Sequence, residues 1–153
     1  MKHNNYGMET LEDVQISEGF SATKKTGNEF IDSFLSKEGG LLSSAVYLFT
    51  GSPGAGKTTI SNYIMAGVST PESPAVFMSF EMPKQRIKKQ FQGKIDMSNI
   101  MIIDSLNKSI KTFEEFIGFL EYIKTLNPSI LVIDSLQNVS KKINAVETHV
   151  ALL

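Results

Sequence analysis

The sequence predicts an α/β domain with a mostly parallel sheet flanked by helices on both faces. Two observations carry this. Short apolar runs rich in β-formers alternate with stretches whose apolar residues recur at helical spacing. A glycine-rich stretch ending in a lysine and two threonines also lies between the first strand-like run and the first long helical pattern. Right-handed crossovers would then gather the strand C-termini on one edge, outside which ligands of open α/β sheets bind.

Residues 1–24 are polar and weakly patterned; "LEDVQI" within them is a short strand or simply a tail. "NEFIDSFL" (28–35) spaces Phe30, Ile31, Phe34 and Leu35 along one face of a short helix, and Gly39 and Gly40 break the chain after it. "AVYLFT" (45–50) reads as a buried strand leading into the glycine loop, and "KTTISNYIMAGV" as the helix after it. Pro71 and Pro74 mark a loop before a second strand, "AVFMSF" (75–80). "PKQRIKKQFQ" follows as a helix with proline at its first position and Gly93 as its stop.

"IMIID" (100–104) reads as a third strand. Thr112 and Glu115 have the T-x-x-E spacing of a capping box, behind which Phe113, Phe116, Ile117, Leu120, Ile123 and Leu126 keep helical spacing up to Asn127 and Pro128. "ILVID" (130–134) is a fourth strand, and the closing "NAVETHVALL" resembles the opening of another helix.

The bulk properties narrow the function classes. A chain of 153 residues suits one domain with its own core, and a formal net charge of −1 excludes a generic polyanion binder. There is no cysteine, which excludes disulfides and cysteine-ligated zinc and accords with a reducing cytoplasm. His3 and His149 stand too far apart in sequence to suggest a metal centre. No apolar run approaches the roughly 20 residues of a membrane span, and the N-terminus lacks the apolar core of a signal peptide. The expectation is a soluble, cytoplasmic protein with no membrane partner.

"GSPGAGKT" (51–58) matches G-x-x-x-x-G-K-[ST] at every position. Gly51, Gly54 and Gly56 permit positive φ and close backbone approach, so the N–H groups from Ser52, past Pro53, through Ala55 can turn inward around an anion. The next helix adds its orphan N–H groups and positive dipole end. Lys57 supplies a mobile cation for β- and γ-phosphates, the Thr58 hydroxyl can ligate Mg²⁺, and Thr59 can bond the α-phosphate. The ligand expected is ATP with Mg²⁺. Asp134, whose strand follows the better-defined helix, is the preferred second metal-side group over Asp104. Asp104 ends a strand of the same appearance. Glu81, just after the second strand, could orient and deprotonate water.

These segments resemble the RecA-type branch of P-loop ATPases. "MSFEMP" is similar to the glutamate motif of DnaB-type replicative helicases. "LVIDSLQNV", "VETHVALL" and the run from "TGNEFIDSFL" to the glycine loop are more similar to RadA/Sms, a bacterial DNA-repair family. The likeness spans about residues 20–153, and residues 25–153 are read as a partial RecA-like ATPase domain. It implies catalytic roles for Glu81 and Lys57, magnesium roles for Thr58 and Asp134, a single-stranded DNA partner in recombination and repair, and a ring-shaped homo-oligomer. A DnaB-like helicase core and a non-hydrolysing nucleotide-dependent module are the alternatives.

The same resemblance implies a later strand between the glycine-loop strand and the Asp134 strand. None follows Leu153, so the C-terminal strands are expected to be missing and turnover by this chain alone to be weak. Arg86 is the only arginine, and the charge-neutralising finger of such enzymes comes from a neighbouring subunit. The basic stretch "KQRIKKQFQGK" (84–94) is read mainly as a solvated helix face with Ile87 and Phe91 turned inward.

Overall fold

The computed structural model describes residues 22–104, Ile110 and 112–142. The elements run β1 (Thr23–Lys24), α1 (Glu29–Leu35), β2 (Leu41–Leu42), α2 (Lys57–Val68), β3 (Ala75–Ser79), α3 (Lys84–Phe91), β4 (Ile100–Asp104), α4 (Phe113–Thr125), β5 (Ile130–Asp134) and α5 (Leu136–Lys142). Three parallel strands form the main sheet in the order β4-β3-β5, and β1 pairs antiparallel with β2 in a small separate ribbon.

The central strand is dictated by its composition. All five residues of β3 are buried, and Ala75, Val76, Phe77 and Met78 have no exposed surface. Each large apolar side chain removed from water stabilises the fold by roughly 1.5–3 kcal/mol, so this run fixes the middle of the sheet. Successive side chains of β3 then serve opposite layers. Ala75 and Phe77 pack with Met65 of α2 and with Ile87 and Phe91 of α3. Val76, Met78 and Phe80 pack with Phe116 and Ile123 of α4 and Val139 of α5. Helices therefore cover both faces, as the alternating pattern predicts.

The helix boundaries follow local chemistry. The Asn28 side chain caps α1 by accepting the Ile31 N–H. Thr112 and Glu115 form both halves of the capping box on α4. α4 ends at Thr125 with Leu126 as its C-cap, and the next residue, Asn127, has a φ of 47° that cannot continue a helix. Pro83, expected at the first helical position, stands instead at the N-cap, so α3 starts one residue later, at Lys84. α5 begins directly after β5 and was not foreseen. The predicted final helix at 144–153 and the "LEDVQI" segment lie outside the described residues.

Residues 45–50, predicted as a buried strand, pair with no other strand among the described residues. Their side chains do alternate. Tyr47 and Phe49 pack inward with Ile31, Leu35 and Leu41 and with Ile64 of α2, and the Tyr47 hydroxyl accepts the Leu42 N–H. Val46 and Leu48 point outward, 97% and 74% exposed. A strand needs a ladder partner as well as β-forming residues. Here a cleft of about 760 Å³ separates 45–50 from β5, lined by Val46 and Leu48 on one side and Leu131 and Ile133 on the other. Among the described residues β5 pairs with β3 alone.

A second departure concerns α1. Ile31 and Leu35 are buried, whereas Phe30 and Phe34 are 77% and 63% exposed. The buried stripe is narrower than the apolar spacing suggested, and Asp32 shares it. The Asp32 carboxylate accepts both the N–H and the hydroxyl of Thr26 at 2.8 Å. Those bonds hold its pKa below the usual carboxylate value.

Candidate functional site

Parallel pairing brings three polar side chains level with one another at the C-terminal edge of the sheet. Ser79 is in register with Asp104 on one side and Asp134 on the other. All three belong to the layer facing α2 and α3, because Phe77, Ile102 and Val132, two positions earlier, pack in that layer.

The glycine loop lies at the same edge. Gly51, Gly54 and Gly56 all have positive φ, at 155°, 82° and 86°. Residues 51–56 are exposed, and α2 starts at Lys57 with Gly56 in the left-handed region at its N-cap. No side chain caps that helix end, so its first N–H groups face the loop. The Lys57 ammonium folds back and donates to the carbonyls of Gly51 at 2.9 Å and Ser52 at 3.0 Å. Ala55 N–H closes a turn on the Ser52 carbonyl across Pro53. Thr59 is exposed on the first turn of α2.

Two of the sequence-predicted residues meet directly. The Thr58 hydroxyl donates to Asp134 Oδ2 at 2.7 Å. The two similar strand-end aspartates are thereby distinguished. Asp134 faces the first turn of α2, whereas Asp104 is buried and accepts the Lys84 N–H at the start of α3 at 3.3 Å. Pro83, at the N-cap, has no side-chain acceptor to offer that helix, and the neighbouring strand supplies one.

Glu81 is exposed and lies two residues beyond Ser79, in the loop from β3 to α3. The Phe80 N–H donates to the Asp134 carbonyl at 2.7 Å, so the backbone just before Glu81 runs beside the Asp134 backbone. The basic residues Lys84, Arg86, Lys88 and Lys89 are exposed on α3, while Ile87 and Phe91 are buried.

Two polar residues at this edge were not singled out from sequence. Ser79 is 1% exposed, and its hydroxyl donates to the Met82 carbonyl at 2.7 Å and accepts the Met82 N–H at 3.1 Å. Asn62, 3% exposed, donates from its amide to the Thr58 carbonyl at 2.6 Å. The available signal was polarity inside an apolar pattern, since a buried polar group must find a partner.

The site is thus an exposed anion-shaped loop, a lysine held on that loop's carbonyls, and a hydroxyl–carboxylate pair at its base. No helix among the described residues is long and apolar enough to cross a membrane. No curated protein and no solved structure matches the chain. A family model described as "ATPase: KaiC" matches residues 24–152, nearly the whole chain and all of the site. The parallel sheet, the glycine loop and that match together make the chain a member of the KaiC ATPase family, with a RecA-like P-loop fold and the nucleotide-binding capacity such a fold implies.

Proposed function

We infer that this chain binds ATP with Mg²⁺ on residues 51–59 and hydrolyses it slowly by itself, with Glu81 activating water. The observation that carries the reading is the 2.7 Å bond between the Thr58 hydroxyl and the Asp134 carboxylate. It joins two hard oxygen donors at the base of an anion-shaped loop, which is the donor set Mg²⁺ takes when it also keeps water and phosphate oxygens. The residues present therefore fit both the nucleotide and the metal.

When bound, Mg²⁺ neutralises charge on the β- and γ-phosphate oxygens. The chain's own residues would do the rest. The backbone N–H groups of the loop and the first turn of α2 bind the phosphates. Lys57 exchanges the carbonyls of Gly51 and Ser52 for phosphate oxygens, a favourable trade of dipoles for anions. Thr58 and Asp134 hold the metal. Glu81, free to rotate at an exposed position, takes the proton of the attacking water.

Isothermal titration with ATP and magnesium tests this. Binding that disappears in Lys57→Ala, while the fold melts unchanged, is the result expected. No heat of association on a folded sample would overturn the reading.

The resemblance of the "LVIDSLQNV" segment and the run before the loop to RadA supports a DNA-directed role within a ring-shaped assembly, and the exposed basic face of α3 is compatible with a single-stranded partner. Hydrolysis stimulated by single-stranded DNA, and lost in Lys88→Glu/Lys89→Glu, supports that part. Hydrolysis indifferent to DNA removes it and leaves nucleotide binding intact.

A further inference from the structure

The loop that carries Glu81 is pinned at three points along five residues. Its first residue, Phe80, donates its N–H to the Asp134 carbonyl. Its middle residue, Met82, is bracketed by the Ser79 hydroxyl, which accepts the Met82 N–H and donates to the Met82 carbonyl. Its last residue, Lys84, donates its N–H to Asp104 Oδ2. Ser79 is 1% exposed and Asp104 8% exposed, so these partners work where water competes little. Between the pins, Glu81 is exposed.

We propose that Ser79 and Asp104 are positioning residues for Glu81: they fix the backbone from which its carboxylate reaches the attacking water. The inference rests on the reading of Glu81 as the water-activating group. Its physical basis is that a general base works through placement. A displacement of about 1 Å, even from a distant change, can cost on the order of 100-fold in rate. Four residues, Phe80 to Pro83, separate the end of β3 from the start of α3, and Pro83 contributes no N–H to hold them. Ser79 stands in β3 and Asp104 in β4, two rigid paired strands, so the sheet itself sets where Glu81 begins. Neither residue needs to touch substrate.

The first measurement uses nucleotide-free protein. Amide hydrogen exchange in Ser79→Ala should speed up at Met82 by about tenfold, the factor for one ordinary hydrogen bond. Asp104→Ala should do the same at Lys84, and Asp104→Asn, which keeps an acceptor oxygen, should restore protection there. Unchanged exchange in a folded variant overturns the proposal. Asp104→Ala carries the test alone if Ser79→Ala does not fold.

The second measurement is single-turnover hydrolysis with protein in excess, alongside ATP affinity. Ser79→Ala and Asp104→Ala should lose roughly 10- to 100-fold in rate with affinity unchanged. Added to Glu81→Gln, neither should lower the rate further. An additive loss means a role independent of Glu81 and overturns the proposal while the Glu81 reading stands. If Glu81→Gln alone leaves the rate untouched, the Glu81 reading fails and the positioning role falls with it.

Discussion

The Thr58 hydroxyl and the Asp134 carboxylate, 76 positions apart in sequence, meet at 2.7 Å and tie the start of α2 to the end of β5. In the proposed complex the same two groups hold magnesium. Asp134→Ala should therefore weaken ATP binding in the presence of Mg²⁺ by about ten- to a hundredfold, corresponding to roughly 1.5–3 kcal/mol for a contact with a charged group. It also removes a negative charge from the site, so metal-free ATP should bind at least as well as before. Titrations with magnesium and with a chelator separate the two effects; an equal loss in both would assign Asp134 a purely structural part.

Gly67 lies near the C-terminal end of α2 where that helix meets the Thr26 backbone. A Cβ there would overlap the Thr26 carbonyl oxygen and stand 2.7 Å from its carbonyl carbon. Backbone cannot move aside as a flexible side chain can. Gly67→Ala should destabilise the fold by about 3 kcal/mol, the upper end of ordinary overpacking, despite the higher helix propensity of alanine. Urea denaturation measures it, and a change under 1 kcal/mol would mean that the contact relaxes freely.

Acid should act through Asp32. Its folded-state pKa is depressed, chiefly by the Thr26 N–H, so the unfolded chain takes up this proton first as pH falls. Its contribution to stability is complete above the unfolded carboxylate value of about 3.9 and fades as pH drops through the lower folded value. Asp32→Asn should lower stability at pH 7 and flatten the acid limb of the stability profile. Parallel acid limbs in the two proteins would show that the bonds to Thr26 do not distinguish the charged form.

The capping box on α4 provides a control remote in sequence from the site residues. Thr112→Ala removes the acceptor for the Glu115 N–H and should cost about 1 kcal/mol. ATP affinity should stay the same. A loss of affinity would mean that α4 and the nucleotide loop are coupled through the sheet.

The parts of the fold legible in sequence were those in which one segment's composition decides the outcome. "AVFMS", "IMIID" and "ILVID" are apolar enough that only a covered sheet accommodates them, and all three are strands of one parallel sheet. Thr112 and Glu115 carry their cap in their spacing. What depends on neighbours was not legible. Residues 45–50 have the chemistry of a strand, yet pairing is a property of two segments, and no described strand pairs with them. Phe30 and Ile31 are equally apolar, and only the docking of α1 against Leu41 and Ile64 decides that Ile31 goes inside. At the site, the loop and Asp134 could be named from pattern. Ser79 could not, because its part depends on where the chain turns at Met82.

The side of β5 that no described strand pairs has a consequence for handling the protein. A strand edge left open there, beside the exposed aliphatic side chains Val46 and Leu48, would form a template on which other chains can add. Scattering from concentrated samples should rise with protein concentration, and a charged residue at Val46 or Leu48 should suppress that association without lowering the melting temperature.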